Sequence, residues 1–472
     1  MYNKNYISIQ KFEPPMQMID VKTNSPPLYI VRIEVEQLFG RYNYVLSKKE
    51  QDIHDKINSP LMILYGDNGS GKTTILKILF HLLSPHPRHG HRKFLTQINF
   101  TKFSVILSDG NQIIASRNNS HTAGYFRLQI LHNQNSVFDE VIGHEYDRQK
   151  QQLLSDEFCN KLIELKLNMF SLGDDRLLKS DILIDDNDND LYEGSFRFST
   201  RRMTTSSSVD FLDNNSLINR DIILKTSIKR AEKWISDQAF TGTNQGEINV
   251  HNIYEEMLTK IIQNSENEIV EKLPKSPNIL INELRNADNI SKNFARFGLM
   301  SPLESQKIIN ILNNIIFTQN SQVKSTISSV LNPYLDSVYA RFKALESIQS
   351  LLTTFESTIN KFFHDKYIKI HVTDGIKIFT DENIELSSEN LSSGEKQLLL
   401  LFCNTLTVRD KATIFIIDEP EISLNVKWQR QLIDALLELT KNSQVQFILA
   451  THSIELLSKY KSHVIKLVKT EK

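Results

Sequence analysis

At 472 residues the chain has room for two or three domains and a large buried core, so it needs no disulfide or metal staple to fold. Its 55 Lys and Arg against 56 Asp and Glu leave a net charge of −1, which excludes a global basic field for nucleic acid and leaves only a local patch. The two cysteines, Cys159 and Cys403, stand far apart on apolar segments, which excludes a disulfide framework or a Cys-based zinc site and fits buried thiols in a reducing compartment.

Residues 1–21 lack a basic region followed by an apolar core, and no run reaches the roughly 18 apolar residues of a membrane span. A cytoplasmic chain with no membrane segment is expected. Alternation of apolar and polar residues over 28–46 around Gly40 predicts a hairpin at a sheet edge. The apolar run 61–65 predicts a buried strand, and residues 72–83, apolar at helical spacing and stopped by Ser84-Pro85, predict a helix. Strands are expected at 103–107, 112–115 and 125–131, with Asp109-Gly110 as the first turn.

The pattern changes near residue 150. Residues 149–167 read as a helix and 168–172 as a strand ending in Gly173-Asp174-Asp175-Arg176. The acidic, Asn-rich and Ser/Thr-rich stretch 181–210 cannot bury enough apolar area to offset chain entropy, so a mobile loop is expected there. Helical periodicity returns at 216–237, 252–271 and 302–363. Strands at 368–372, 376–379, 413–417 and 446–450 then alternate with helices at 394–406 and 426–439, which predicts an α/β layer with a largely parallel sheet.

Gly66-Asp67-Asn68-Gly69-Ser70-Gly71-Lys72-Thr73 is a complete P-loop between a predicted strand and a predicted helix. Its glycines let backbone N–H groups turn inward on phosphates, and the helix start adds the positive end of its dipole. Gly66, Asn68, Gly69, Ser70, Gly71, Lys72, Thr73 and Thr74 are the expected nucleotide contacts, with Lys72 on the β and γ phosphates and the Thr73 hydroxyl on Mg2+. The apolar strand Ile414-Phe415-Ile416-Ile417 ends in Asp418-Glu419, two carboxylates at the carboxyl edge of a sheet where α/β ligands bind. Asp418 is expected to hold Mg2+ through its waters, and Glu419 to polarise an attacking water as general base.

Leu391-Ser392-Ser393-Gly394-Glu395-Lys396-Gln397 resembles the signature sequence of ABC ATPases, in the spelling used by the SMC, double-strand-break-repair and OLD-type branch. Physically it is a second phosphate-binding helix start, in which the Ser392 hydroxyl and the Gly394 N–H can donate to a γ phosphate, flanked by Ser393 and Glu395. The resemblance implies an α/β ATPase head of mixed and parallel sheets with flanking helices, with ATP and Mg2+ as ligands. It also implies a homodimer or higher homo-oligomer closed head to tail, each signature facing the other subunit's P-loop. Ser423-Leu424-Asn425 follows the acidic pair as the family's D-loop does, although relatives often carry His or Asp where Asn425 stands. Ala450-Thr451-His452-Ser453 ends the next strand as the family's switch histidine does, with His452 34 residues after Asp418. The family's glutamine that senses Mg2+ and water has candidates in Gln97, Gln112, Gln129 and Gln134; Gln129 is chosen. Asp174-Asp175-Arg176 is either a lining of the site or a solvated loop. His81, His86, His89 and His91 have no carboxylate or Cys partner close in sequence and read as a basic loop near phosphates or DNA. Asp186 to Asp190 imitates an EF-hand start but has Leu191 where Gly is needed and Arg197 where Glu is needed.

The likeness covers residues 28–140 and 360–460, so the head reads as split: 1–148 as its first half, 149–350 as a mostly helical insertion, 351–472 as its second half. Two helices of about 50 residues would reach only about 75 Å, which excludes long coiled-coil arms. Only 20 residues follow His452, too few for the TOPRIM nuclease domain of OLD proteins. The chain is therefore similar to the ATPase subunits of bacterial anti-phage systems that act with a separate nuclease. The PtuA family of Septu systems, with an HNH partner, comes first, and the AriA family of PARIS systems, with a TOPRIM partner, second. The resemblance implies that nucleotide state regulates that nuclease. The alternative is a DNA-repair or SMC-like head that binds DNA directly; a transporter cassette fits the signature and the split less well.

Overall fold

The computed structural model describes residues 28–47, 60–86, 90–118, 123–142, 148–173, 178–181, 210–263, 275–315, 321–422 and 424–467. The first elements are β1 (Ile30–Leu38) and β2 (Tyr42–Ser47), the expected hairpin, whose turn needs the left-handed φ of +74 at Gly40. β3 (Leu61–Tyr65), α1 (Lys72–Leu83) and α2 (His91–Gln97) follow. Next come β4 (Lys102–Leu107), β5 (Asn111–Ser116), β6 (Phe126–His132) and β7 (Asn135–Ile142), then α3 (Arg148–Glu164), β8 (Asn168–Leu172) and β9 (Leu178–Asp181).

Four helices come after them: α4 (Asp210–Gln263), α5 (Pro277–Ala295), α6 (Gln306–Ile315) and α7 (Ser321–Phe362). A small sheet follows, of β10 (Lys366–His371), β11 (Gly375–Thr380) and β12 (Glu385–Leu386). The last elements are α8 (Ser393–Thr407), β13 (Thr413–Asp418), α9 (Val426–Leu439), β14 (Val445–Thr451), α10 (Ile454–Lys459) and β15 (Val464–Lys466).

The central sheet has the order β15-β3-β14-β13-β8-β9 and is parallel except for β9. Its strands are apolar without alternation because both faces are covered. Side chains of a strand alternate between faces, and here each face belongs to a different core. Leu61, Ile63, Phe170, Leu172, Phe415, Ile417, Phe447 and Leu449 enter the core shared with α4 to α9. Met62, Leu64, Met169, Ile414, Ile416, Ile448 and Ala450 enter the core shared with α1 and the second sheet. That second sheet, order β2-β1-β4-β5-β6-β7, is antiparallel throughout. The molecule is thus a mixed α/β structure, with a parallel sheet as its middle layer.

On the helical side, α4 buries Leu224, Ser227, Ala231, Ile235 and Ala239, one stripe at helical spacing. It packs along α8 and α7, with Asn404 donating to Ser227 Oγ at 3.0 Å and Lys396 paired with Asp221 at 2.8 Å. Further along, Gly242 and Gly246 let α4 press directly on α7. A Cβ on Gly242 would lie 2.9 Å from Leu345 Cδ2 and 3.2 Å from the Ala344 carbonyl. The polar, Gly-containing stretch 238–251 breaks the apolar periodicity, which is why the sequence suggests two helices where α4 is one. The expected run 302–363 is α6 and α7, with Pro333 inside α7, where an unbroken apolar stripe from Leu335 to Phe362 holds the helix together. α5 is not anticipated although Leu280, Ile281, Leu284, Ala287 and Phe294 form an apolar stripe at helical spacing, and β7, β9 and β15 are not anticipated either. The expected mobile loop falls on 182–209, outside the described residues. No helix among the described residues is long and apolar enough to cross a membrane.

Candidate nucleotide site

Four neighbouring parallel strands, β3, β14, β13 and β8, end at one edge of the central sheet, where Tyr65 pairs with Thr451, Ala450 with Asp418, and Ile417 with Leu172. The residues that follow them therefore converge: the P-loop after β3, His452 after β14, Glu419 after β13 and Gly173 after β8.

In the P-loop, Gly69 and Gly71 adopt left-handed φ of +76 and +90, the turn that points successive N–H groups into one concavity. A Cβ at Gly69 would meet nothing within 4 Å, whereas one at Gly71 would lie 2.8 Å from Leu38 Cδ2. The loop is braced from β2, where the Tyr44 hydroxyl donates to the Ser70 carbonyl at 2.8 Å. Burial, with Tyr42 alongside, pushes the Tyr44 phenol up to about 12. Lys72 is buried at the start of α1, its ammonium donating to the carbonyls of Gly66 at 2.8 Å and Asp67 at 3.2 Å. Burial pushes Lys72 below its ordinary pKa, while Glu419, Asp418, Asp67 and Glu421 pull it back up. Both acids of the pair are thus within electrostatic reach of the P-loop lysine. Thr73 and Thr74 lie half-buried in the first turn of α1.

Asp418 is buried at the end of β13. The next residue, Glu419, takes a left-handed φ of 48, uncommon for a side chain of its size, and its N–H donates to Ala450 O at 2.8 Å. Such conformations persist where the surroundings over-determine them, and they concentrate at functional sites. The Glu419 carboxylate lies 3.6 Å from His452 Nε2. A triphosphate and a hard cation fit the residues present. The buried Ser70 hydroxyl has no hydrogen-bond partner among the described residues, Gly69 leaves its cradle open, and the buried Asp418 carboxylate shares the edge with Lys72.

The signature residues stand elsewhere. Ser392 caps α8 in a capping box: its hydroxyl accepts from Glu395 N at 3.4 Å, and Glu395 Oε2 accepts from Ser392 N at 2.7 Å. Glu395 also pairs with Lys366 at 3.1 Å. Ser392 and Ser393 are exposed, and Gly394 and Glu395 are buried. Among the described residues, none of these groups bonds to the same chain's P-loop. Asn425 caps α9, its side chain accepting from Trp428 N at 2.9 Å; Ser423 is outside the described residues.

Gln129 needs correction. It sits in the middle of β6, in the antiparallel sheet, its amide donating to Asp139 Oδ2 at 3.0 Å. β1 and β2 both touch the P-loop, and β6 is three strands from the nearer of them, β1, a lateral offset of about 14 Å. The strand beside Asp418 is β8, so the position facing the acidic pair begins at Gly173, and Asp174 to Arg176 lie outside the described residues. The histidine cluster is also misplaced by the sequence reading. His81, in the last turn of α1, meets His91, at the start of α2, at 2.8 Å with Phe94 stacked on His81, at the end of α1 opposite to Lys72; His89 lies outside the described residues.

Sequence reasoning gave no role to Glu421, whose Oε1 accepts from Thr451 Oγ1, His452 N and Ser453 N at 2.6, 2.9 and 3.1 Å. Tyr44 was missed as well. The only sequence signal for Glu421 was a third acid two positions beyond the acidic pair.

Residues 43–457 match the model of the AAA ATPase domain. The chain belongs to the AAA ATPase domain family. As a member it carries an ATPase domain, and the family implies ATP as its nucleotide. Among curated relatives, this AAA ATPase is similar to the Retron Ec83 probable ATPase of Escherichia coli, 24% identical over 275 residues, covering 54% of this chain and 45% of that protein. It is also similar to the spermidine/putrescine import ATP-binding protein PotA of Aster yellows witches'-broom phytoplasma, 28% identical over 136 residues, covering 29% and 31%. The dipeptide transport ATP-binding protein DppD of Haemophilus influenzae is 23% identical over 166 residues, covering 34% and 49%. The chain spans less than half the length of each of these relatives. Among solved structures, the Smc head domain of Pyrococcus furiosus bound to the C-terminal domain of ScpA superposes with a TM-score of 0.35 at 12% identity, covering 93% of both chains.

Proposed function

We propose that this ATPase works as a nucleotide-dependent switch in a bacterial anti-phage defence complex and controls a separate nuclease. The observation that carries the reading is the meeting of the P-loop, Asp418-Glu419 and His452 at one sheet edge, while the exposed Ser392 start of α8 makes no bond to the P-loop among the described residues. A second copy supplies that partner, each signature helix facing the other's γ phosphate in a head-to-tail dimer. Lys72 and the loop N–H groups hold the β and γ phosphates. Thr73 and Asp418 hold Mg2+, which when bound neutralises phosphate charge. Glu419 takes the proton of the attacking water, and His452, 3.6 Å from that carboxylate, reads the γ phosphate.

The kinship to a retron ATPase supports a defence role. Within that group the Septu arrangement is our reading, a PtuA-like subunit governing an HNH nuclease, with the helices between β9 and β10 as the docking body. The test is phage challenge of cells carrying the operon. Lys72→Ala and Glu419→Gln are expected to abolish protection while the nuclease still co-purifies. Protection that survives both substitutions sinks the proposal. Strong, salt-sensitive duplex binding by the chain alone, with no nuclease partner, replaces it with a DNA-binding head.

A further inference from the structure

His452 lies in the two-residue gap between the end of β14 and the start of α10, where no sheet ladder fixes its backbone. Its orientation is set instead from the acidic turn. One oxygen of Glu421 collects the Thr451 hydroxyl and the N–H groups of His452 and Ser453, three donors from consecutive residues, and hydrogen bonds to a carboxylate are about twice as strong as neutral ones. The Thr451 hydroxyl in turn accepts from Ser453 N at 2.9 Å, closing the loop on itself.

Glu421 belongs to the same tight turn as Glu419: Ile422 N donates to Glu419 O at 3.1 Å and Leu424 N to Glu421 O at 3.0 Å. The turn that carries Glu419 therefore also carries the group that holds His452. A second strut comes from α9. Gln429 donates to the Leu424 carbonyl at 2.9 Å and accepts from Ser453 Oγ at 2.8 Å, tying the segment before Asn425 to the histidine loop.

We propose that Glu421 is a positioning residue for ATP hydrolysis: it fixes His452 against Glu419 and, with Gln429, makes the Leu424–Asn425 segment and the histidine loop move as one piece. The inference rests on the reading of His452 and Glu419 given above. Glu421 acts through His452, so its loss slows turnover without loosening nucleotide. Because Glu421 Oε1 alone accepts the three bonds, the amide oxygen of a glutamine can accept them in its place.

The test is steady-state ATP hydrolysis and equilibrium ATP binding by the full chain. Glu421→Ala is expected to lower kcat at least about tenfold with the ATP Kd within about twofold, and Glu421→Gln to stay within about threefold of the unsubstituted rate. In a His452→Ala background, Glu421→Ala should add less than about twofold, because the group it positions is gone. Should Glu421→Ala fail to fold, Thr451→Val, which removes one donor at similar shape, is expected to give the same split, about threefold in kcat. Losses that multiply in the double variant, or equal losses in Gln and Ala with weakened ATP binding, overturn the inference. A slow His452→Ala beside a full-rate Glu421→Ala sinks the inference alone. A full-rate His452→Ala sinks the underlying reading of the histidine, and this inference with it.

Discussion

Lys72 and Glu419 make the sharpest predictions for single residues. Lys72→Ala removes the ammonium buried against the P-loop carbonyls, and turnover is expected to fall about 100-fold to 1,000-fold in a phosphate-release assay. Glu419→Gln keeps the side chain's shape and loses the base, so hydrolysis should drop by about 100-fold or more while ATP affinity persists. Gly71→Ala forces a methyl group into a left-handed residue 2.8 Å from Leu38. The backbone cost alone is about 1–2 kcal/mol, and a lowered Tm checks it. The P-loop and the acidic pair were readable in the sequence because each is a contiguous string whose spacing carries its chemistry. Glu421 and Tyr44 were not, since their partners lie about 30 and 26 positions away and no local pattern announces a pairing across the sheet edge. Gln129 misled for the same reason: proximity to a strand end says nothing about which sheet the strand joins.

Elements whose apolar period is unmixed were readable to the residue, as with β3, α1 and α9, because burial on defined faces dictates both type and limits. α4 was read as two helices. Its glycines weaken local propensity by about 1 kcal/mol each, and the close approach to α7 that compensates is a tertiary fact. This contact gives a test. Gly242→Leu should overpack the α4–α7 seam and destabilise by about 1–3 kcal/mol, seen as a lower Tm, even though leucine is the better helix former. The Asp221–Lys396 pair, nearer the start of α4 and reaching α8, is partly exposed, and Asp221→Asn should change stability by no more than about 1 kcal/mol. The division of the chain at 148 and 350 stays a proposal, to be tested by limited proteolysis.

For the whole molecule, the proposed head-to-tail dimer predicts an ATP-dependent change in mass. Glu419→Gln protein with ATP and Mg2+ should sediment as a dimer, and adding Ser392→Arg, at an exposed helix start, should return it to a monomer. A mass that never responds to ATP removes the dimer from the mechanism.

The strand order of the central sheet also governs how the chain is made. β13 separates β8 from β14, yet it emerges 241 residues after β8 ends, 413 minus 172. At roughly 5–20 residues per second the ribosome leaves β8 without β13 for about 12–50 seconds and β3 without β14 for about 19–76 seconds. Two largely apolar strands, each with at least one open edge, are sticky over those intervals. Yield in cells should therefore depend on whatever shields the growing chain, and slowing translation after residue 172 should cost more soluble protein than slowing it after residue 451.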